Sequence, residues 1–357
     1  MAADVADRLA ALRSGTAGAR TCLAVRDLVV VCSSSRSGSS MFAELLRRSP
    51  DLLTYSAEIN PHVTITTLGS GGGCGVLADP TPHAGTEAGM AVLRSELGND
   101  LGMPAARIET AALARHVAWR LTMQWPQEPI DPATVHALLD NNDAGPRGWT
   151  NAAFLDLLAR LTAMYPSINP YRYDIDSAEV ARRFPHHVPP VGPPAEPVVE
   201  MAPFVVPRAW QVADASDAAR LPVVTTTPRN AFRLPLLAQT FPNARSRVIH
   251  LTRNPAAAVN GLRDGWLHSG FFSGAQRRTT AHRRLQRPPS TVGHRMVELR
   301  RPSGLARLDR TVAGRRLRVP VGSRAASHRR GSGGSRSGRA PHRLRGHHRR
   351  SPGDGAH

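Results

Sequence analysis

The residues with chemical potential gather first in Ser33-Ser34-Ser35-Arg36-Ser37-Gly38-Ser39-Ser40, a run of hydroxyls with one guanidinium and one glycine. These residue types suit an anion. Hydroxyls donate hydrogen bonds, glycine lets the backbone approach closely, and the unpaired amides and dipole at a helix N-terminus favour negative charge. Arg36 adds a full positive charge, and with lysine absent from the chain any catalytic cation at this loop has to be arginine. The order differs from that of a nucleoside-triphosphate loop, which sets Lys and then Ser or Thr directly after its second glycine to hold phosphates and Mg²⁺. Here Gly38 is followed by Ser39 and Ser40. A plain polar strand-to-helix turn in some α/β protein would carry the same residues.

The elements that must position this loop are legible on both sides. Residues 28–31 form a short β-branched run, as in a buried parallel strand, and Met41/Leu45 with Phe42/Leu46 repeat at i, i+4 as a helix would. That helix should end near Ser49-Pro50, because proline disfavours helical geometry in the residue before it. Order of the same kind returns at Leu221 to Asn230, a strand ending in Thr227-Pro228-Arg229-Asn230. A helix through Phe232, Leu236 and Leu237 follows. A third strand, Arg247 to Leu251, then closes in Thr252-Arg253-Asn254-Pro255 before a helix over 256–262. The succession β-α-β-α implies a parallel sheet with right-handed crossovers.

Arg-Ser-Gly-Ser-Ser after the first strand, and Thr-Pro-Arg-Asn, apolar helix, Phe-Pro-Asn-Ala-Arg, strand, Arg-Asn-Pro in the later segment, together resemble the sulfotransferases that use 3′-phosphoadenosine 5′-phosphosulfate (PAPS). The resemblance covers about residues 24–66 and 220–272. It implies a P-loop-like parallel sheet flanked by helices. Ser35, Arg36, Ser37, Gly38, Ser39 and Ser40 would hold the 5′-phosphosulfate, and Arg253 the 3′-phosphate bidentately, a task suited to guanidinium. Arg36 would also be catalytic, neutralising charge on the leaving phosphate oxygen. Glu58 would take the proton of the acceptor hydroxyl; on its own it equally suits a surface or cap carboxylate. The product would be 3′,5′-adenosine bisphosphate, no metal is implied, and the acceptor would be a hydroxyl of a small molecule, glycan or peptide. Two positions depart from the pattern. Thr226 stands where many members have Lys, and Gly261 where they have Ser, leaving Asn260 beside it as the replacement donor. A serine at 261 is expected to add one hydrogen bond to the 3′-phosphate.

The remaining chain is read from pattern alone. Residues 3–13 form an amphipathic helix, expected outside the first strand, and 53–62 bring the chain back beside the anion loop. A helical insertion spans about 87–184, with helices over Glu87 to Leu97 and Glu109 to Trp125, one starting at Asp131-Pro132, and one capped by Asn151. In the last, Phe154, Leu155, Leu158 and Leu161 read as core. His116, His136 and the His186-His187 pair show no carboxylate or cysteine at ligand spacing and read as ordinary. Glycine-rich 69–75 reads as a connector, and proline-rich 185–203 suits either a loop over a cleft or a linker.

The formal charge of +19 is unevenly spread: residues 275–357 hold 22 of the 46 arginines with three acids, and residues 1–274 balance at 24 against 24. The α/β domain is therefore assigned to 1–274, and 275–357 to a disordered Arg-rich tail that would bind nucleic acid only non-specifically. Codons of a GC-rich gene read one base late would also yield such arginines, so the tail is either a basic arm or the product of a frame change. The alternative function is a non-catalytic nucleotide- or nucleic-acid-binding protein with a basic tail. Three cysteines without metal spacing, no signal pattern and no span of ~18 apolar residues predict a soluble cytoplasmic protein.

Overall fold

The computed structural model describes residues 2–13, 17–68, 80–106, 108–140, 149–190, 194 and 198–267. The tail, Cys74 and the 69–75 connector lie outside the described residues. Helices α1 (Ala2–Arg13) and α2 (Gly18–Ala24) lead into β1 (Asp27–Ser33) and α3 (Ser39–Arg47). Then come β2 (Thr54–Tyr55), α4 (Asn60–Ile65), α5 (Thr81–Ala84), α6 (Glu87–Asp100) and β3 (Leu101–Pro104). The helices α7 (Thr110–Gln124), α8 (Pro132–Asp140), α9 (Asn151–Met164) and α10 (Ser177–Arg183) follow in the segment 87–184 read as a helical insertion, of which α6 packs with the parallel sheet, Met90, Leu93 and Leu97 sharing a core with Leu28 and Val30. The chain finishes with β4 (Trp210–Val212), α11 (Ala215–Arg220), β5 (Val223–Thr226), α12 (Leu234–Thr240), β6 (Arg245–Leu251) and α13 (Pro255–Leu267).

The molecule is mixed α/β, with a three-stranded parallel sheet flanked by helices, in the order β5-β1-β6. Leu28 pairs with Val223 and Val31 with Thr226 on one side; Asp27 pairs with Arg245 and Ser33 with Leu251 on the other. β1 is central and buried, as its Val-rich run requires. β6 is not: Val248 is 44% exposed and Ile249 38%. Successive strand residues face opposite sides, so both faces of β6 are open among the described residues.

A second, antiparallel sheet of order β2-β3-β4 was not foreseen from the sequence. Its strands are two to four residues long and too short to show alternation. It joins the parallel sheet through Leu53, whose amide donates to Pro222 O and whose carbonyl accepts from Val224 N.

Three expectations are corrected. Helix α1 does not lie outside the first strand; Val5 and Leu9 pack with Ile65, Leu68, Trp119, Met123 and Val199. The place beside the sheet belongs to α2, which crosses α6 in backbone contact, since a Cβ on Gly98 would meet Gly18 O at 1.8 Å. Helix α9 is capped by Thr150, whose side chain accepts from Ala153 N, rather than by Asn151. The end of the proline-rich segment 185–203 is neither a loop over a cleft nor a plain linker, since Val198 and Ala202, with Phe204 just beyond, are buried in the core built on α7 and α9. In that core Phe154, Leu155, Leu158 and Leu161 are buried as expected. On α3 the buried face is Ser39 and Ala43, flanked by half-buried Phe42 and Leu46, while Met41 is 71% and Leu45 58% exposed.

Candidate functional site

The anion loop sits at the carboxyl end of β1, where ligands of open parallel sheets bind. Two of its residues have left-handed backbone, Arg36 at φ 59° and Gly38 at φ 89°. Glycine adopts that region freely, whereas arginine there is strained. Gly38 is the N-cap of α3 and makes no side-chain cap bond, so the first amides of a nine-residue helix face the loop. The six loop residues named from the sequence do stand together, with one qualification of role. Ser37 is buried and donates its hydroxyl to Ser34 O at 2.7 Å, so it shapes the loop instead of offering its proton outward. Ser39 is buried, Ser35 half-buried, and Arg36, Gly38 and Ser40 exposed.

The later segment closes on the same point. Arg253, just past β6, donates Nη1 to the Arg36 carbonyl at 2.8 Å. On α13, a Cβ added to Gly261 would stand 3.0 Å from Arg36 Cβ and 3.3 Å from its Cγ. A serine at 261 would therefore bring its Cβ against the loop's own arginine, so that any hydrogen bond it adds comes with a shift of Arg36 by a few tenths of an ångström. Asn260 is exposed on the same helix, one residue from that contact.

Thr-Pro-Arg-Asn at the end of β5 does structural as well as site work. Asn230, fully buried, donates Nδ2 to Val31 O at 3.2 Å and to Thr225 O at 3.1 Å, stitching β1 to β5 directly below the loop. Thr227 reaches across to Glu58, donating Oγ1 to Oε2 at 3.0 Å. Asn60 Nδ2 donates to the same oxygen at 2.5 Å and to Thr227 Oγ1 at 3.1 Å. Glu58 is half-buried. The segment 53–62 thus returns to the sheet end as the sequence suggested, and Glu58 is anchored there.

What spacing did not reveal is the support beneath it. Asp100, with no exposed surface, accepts from Ser56 N at 3.2 Å and Ser56 Oγ at 2.7 Å, and lies 3.3 Å from His62 Nε2 and 3.6 Å from Arg13 Nη2. It thereby clamps the chain on both sides of Glu58. Burial alone would raise the Asp100 pKa, but the hydrogen bond and charge of His62, with Arg13 and Arg120, hold it below the ordinary carboxylate range. His62 and Arg233, both buried, also belong to this support. His136, read as lacking a carboxylate at useful spacing, pairs with Asp140 through Nδ1 at 2.8 Å, far from the loop on α8. Burial pushes the Cys22 thiol up to about 12 and the Cys32 thiol up to about 11. Among the described residues no three His, Cys, Asp or Glu side chains stand together as a metal site, and no helix is long and apolar enough to cross a membrane.

No family model, curated protein or solved structure matches the chain.

Proposed function

We propose that the protein is a PAPS-dependent sulfotransferase, with a P-loop-like phosphosulfate loop at 35–40 and an acceptor site beside Glu58. The observation that carries the reading is the 2.8 Å bond from Arg253 to the carbonyl of Arg36. Two segments 217 positions apart, each read as holding one anionic end of the donor, meet at one point. PAPS has its two anionic ends on one ribose, so its recognition needs that convergence. The exposed guanidinium of Arg36 and the outward amides of α3 suit a doubly anionic nucleotide without a metal ion.

The donor supplies an activated sulfuryl group. Arg36 and the α3 amides neutralise charge that develops on the leaving phosphate oxygen, by the electrostatic placement that dominates transfers of this loose type. Glu58 takes the acceptor proton, its carboxylate kept in position by Asn60 and Thr227. Arg253 shapes the loop through the Arg36 carbonyl and brings a positive charge to the 3′-phosphate. Asn260 contributes from α13. The acceptor is a hydroxyl compound, and the buried free thiols Cys22 and Cys32 fit a reducing, cytoplasmic setting.

Calorimetric titration with 3′,5′-adenosine bisphosphate tests the reading, with 5′-adenosine monophosphate as the comparison. Binding of the bisphosphate at least tenfold tighter is expected, about 1.4 kcal/mol for the second phosphate. Equal affinity for the two, or none for either, would sink it.

A further inference from the structure

The Glu58 carboxylate is the end of a donor relay that begins at a buried cation. Arg233, between the β5 turn and α12, is 1% exposed. Its Nη1 donates to Asn60 Oδ1 at 2.7 Å and its Nε to Thr81 Oγ1 at 3.1 Å. A guanidinium has donors only. The two ends of an asparagine amide are alike in shape, so a donor-only neighbour decides which end faces it: Oδ1 turns to Arg233, and Nδ2 is left for Glu58 Oε2 at 2.5 Å. Were the amide reversed, two acceptor oxygens would stand at that separation and repel, and the Nδ2 hydrogens would meet the donors of Arg233.

Burying an arginine is expensive, and an apolar side chain of similar volume often serves stability as well or better. The buried cation has a use here beyond stability, which is to set the polarity of Asn60. We propose that Arg233 is a positioning residue for the transfer: it fixes the Asn60 amide, and the amide fixes the plane of the Glu58 carboxylate in which the acceptor proton is taken. This rests on the reading of Glu58 as the base. Thr227, on the other side of Oε2, holds the carboxylate to the sheet end, so the relay and the sheet meet on one oxygen.

The test uses the full chain with Glu58→Gln, Arg233→Met, Arg233→Lys and Asn60→Leu. Asn60 is half-buried, so its variant reports even where loss of Arg233 prevents folding. The side-chain amide signals of Asn60, followed by ¹⁵N–¹H NMR, should shift in both Glu58→Gln and Arg233→Met, and Arg233→Lys should restore them in part. With PAPS and acceptors 4-nitrophenol, a sugar and a tyrosine peptide, Arg233→Met and Asn60→Leu should each lower kcat about tenfold and leave KM for PAPS within twofold. If Glu58→Gln keeps full kcat, the base assignment is wrong, and the proposal goes with it. If Glu58→Gln loses kcat while Asn60→Leu and Arg233→Met keep theirs, the base stands and the positioning role is overturned. Unchanged Asn60 signals in Arg233→Met also overturn it, whatever the turnover.

Discussion

Arg36 occupies left-handed backbone, at φ 59°, in the middle of the loop on which the proposed function rests. A side chain with a Cβ is disfavoured there by about 1–2 kcal/mol, because Cβ approaches the following carbonyl. Replacing Arg36 by glycine removes that strain, and the freedom glycine adds to the unfolded chain takes back roughly 0.5–1 kcal/mol. The net is a gain of about 0.5 kcal/mol for Arg36→Gly. Arg36→Ala keeps its Cβ and gains nothing. Since Arg36 is exposed, neither variant gives up much packing. Both give up a charged hydrogen bond to phosphate, worth about 1.5–3 kcal/mol, or roughly ten- to a hundredfold in Kd for 3′,5′-adenosine bisphosphate. Urea unfolding midpoints, compared at a common slope, give the first quantity and calorimetric titration the second. Arg36→Gly should be the more stable variant, and both should bind weakly. An Arg36→Gly protein less stable than Arg36→Ala refutes the strain argument. Undiminished binding in either variant removes Arg36 from the nucleotide site.

Gly261→Ser presses a Cβ to 3.0 Å from Arg36 Cβ, so bisphosphate binding should weaken a few-fold; in the Arg36→Gly background the same serine should do no harm, which a double-mutant titration checks. Burial pushes the His116 imidazole down to about 3, with Asp100 opposing and Arg13, Arg120 and Arg208 adding to the effect. A folded pKa below the unfolded value of about 6.5 means that the unfolded chain takes up the proton first, so stability is full above pH ~6.5 and falls as pH drops towards the folded value. Relative to His116→Phe, the parent should lose up to ~1.4 kcal/mol per pH unit between about 6.5 and 4.5. Asp100 acts in the same direction but below pH ~4. Glu96 and Glu200, whose carboxyls burial pushes up, act oppositely in both proteins and cancel in the difference. Parallel pH curves for the two proteins would contradict the assignment. Cys22 and Cys32, buried and with raised thiol pKa values, should resist a thiol reagent at pH 8 until the protein unfolds; fast labelling of either in the folded state would show that its strand or helix opens.

The parallel strands and the two loop segments of the candidate site were legible because each is carried by local pattern: a β-branched run, a turn of small residues, a helix with i, i+4 repeats. The joining of Arg253 to Arg36 was implied only by analogy, and its actual form, a bond to a backbone carbonyl, has no signature in residue types. The Asp100 clamp escaped because Ser56 and His62 meet it across some forty positions of intervening chain, and a lone aspartate at the end of a helix reads as a cap. Arg233 escaped for the same reason: in sequence it is one more arginine in an arginine-rich chain, and only burial against Asn60 marks it out. Ser37 misled in the other direction, since a hydroxyl in an anion loop looks like a ligand until its proton is found on Ser34 O.

The central strand of the sheet has a consequence for synthesis. β1 leaves the ribosome early, yet its partner on one side begins at Val223 and on the other at Arg245, where the side chain reaches back 218 positions to Asp27. At ordinary elongation rates of about 5–20 residues per second, Leu28 to Cys32 wait roughly ten to forty seconds for both neighbours. Within that interval every residue of the core built on α7 and α9, from Leu113 to Phe204, has been made, so that core can collapse before β5 appears. The core on α7 and α9 can then form before the parallel sheet is complete, while Leu28, Val30 and Cys32 of β1 have only the earlier residues of their own core, among them Leu53, Ile59, Leu93 and Leu97, to pack against until both partner strands arrive.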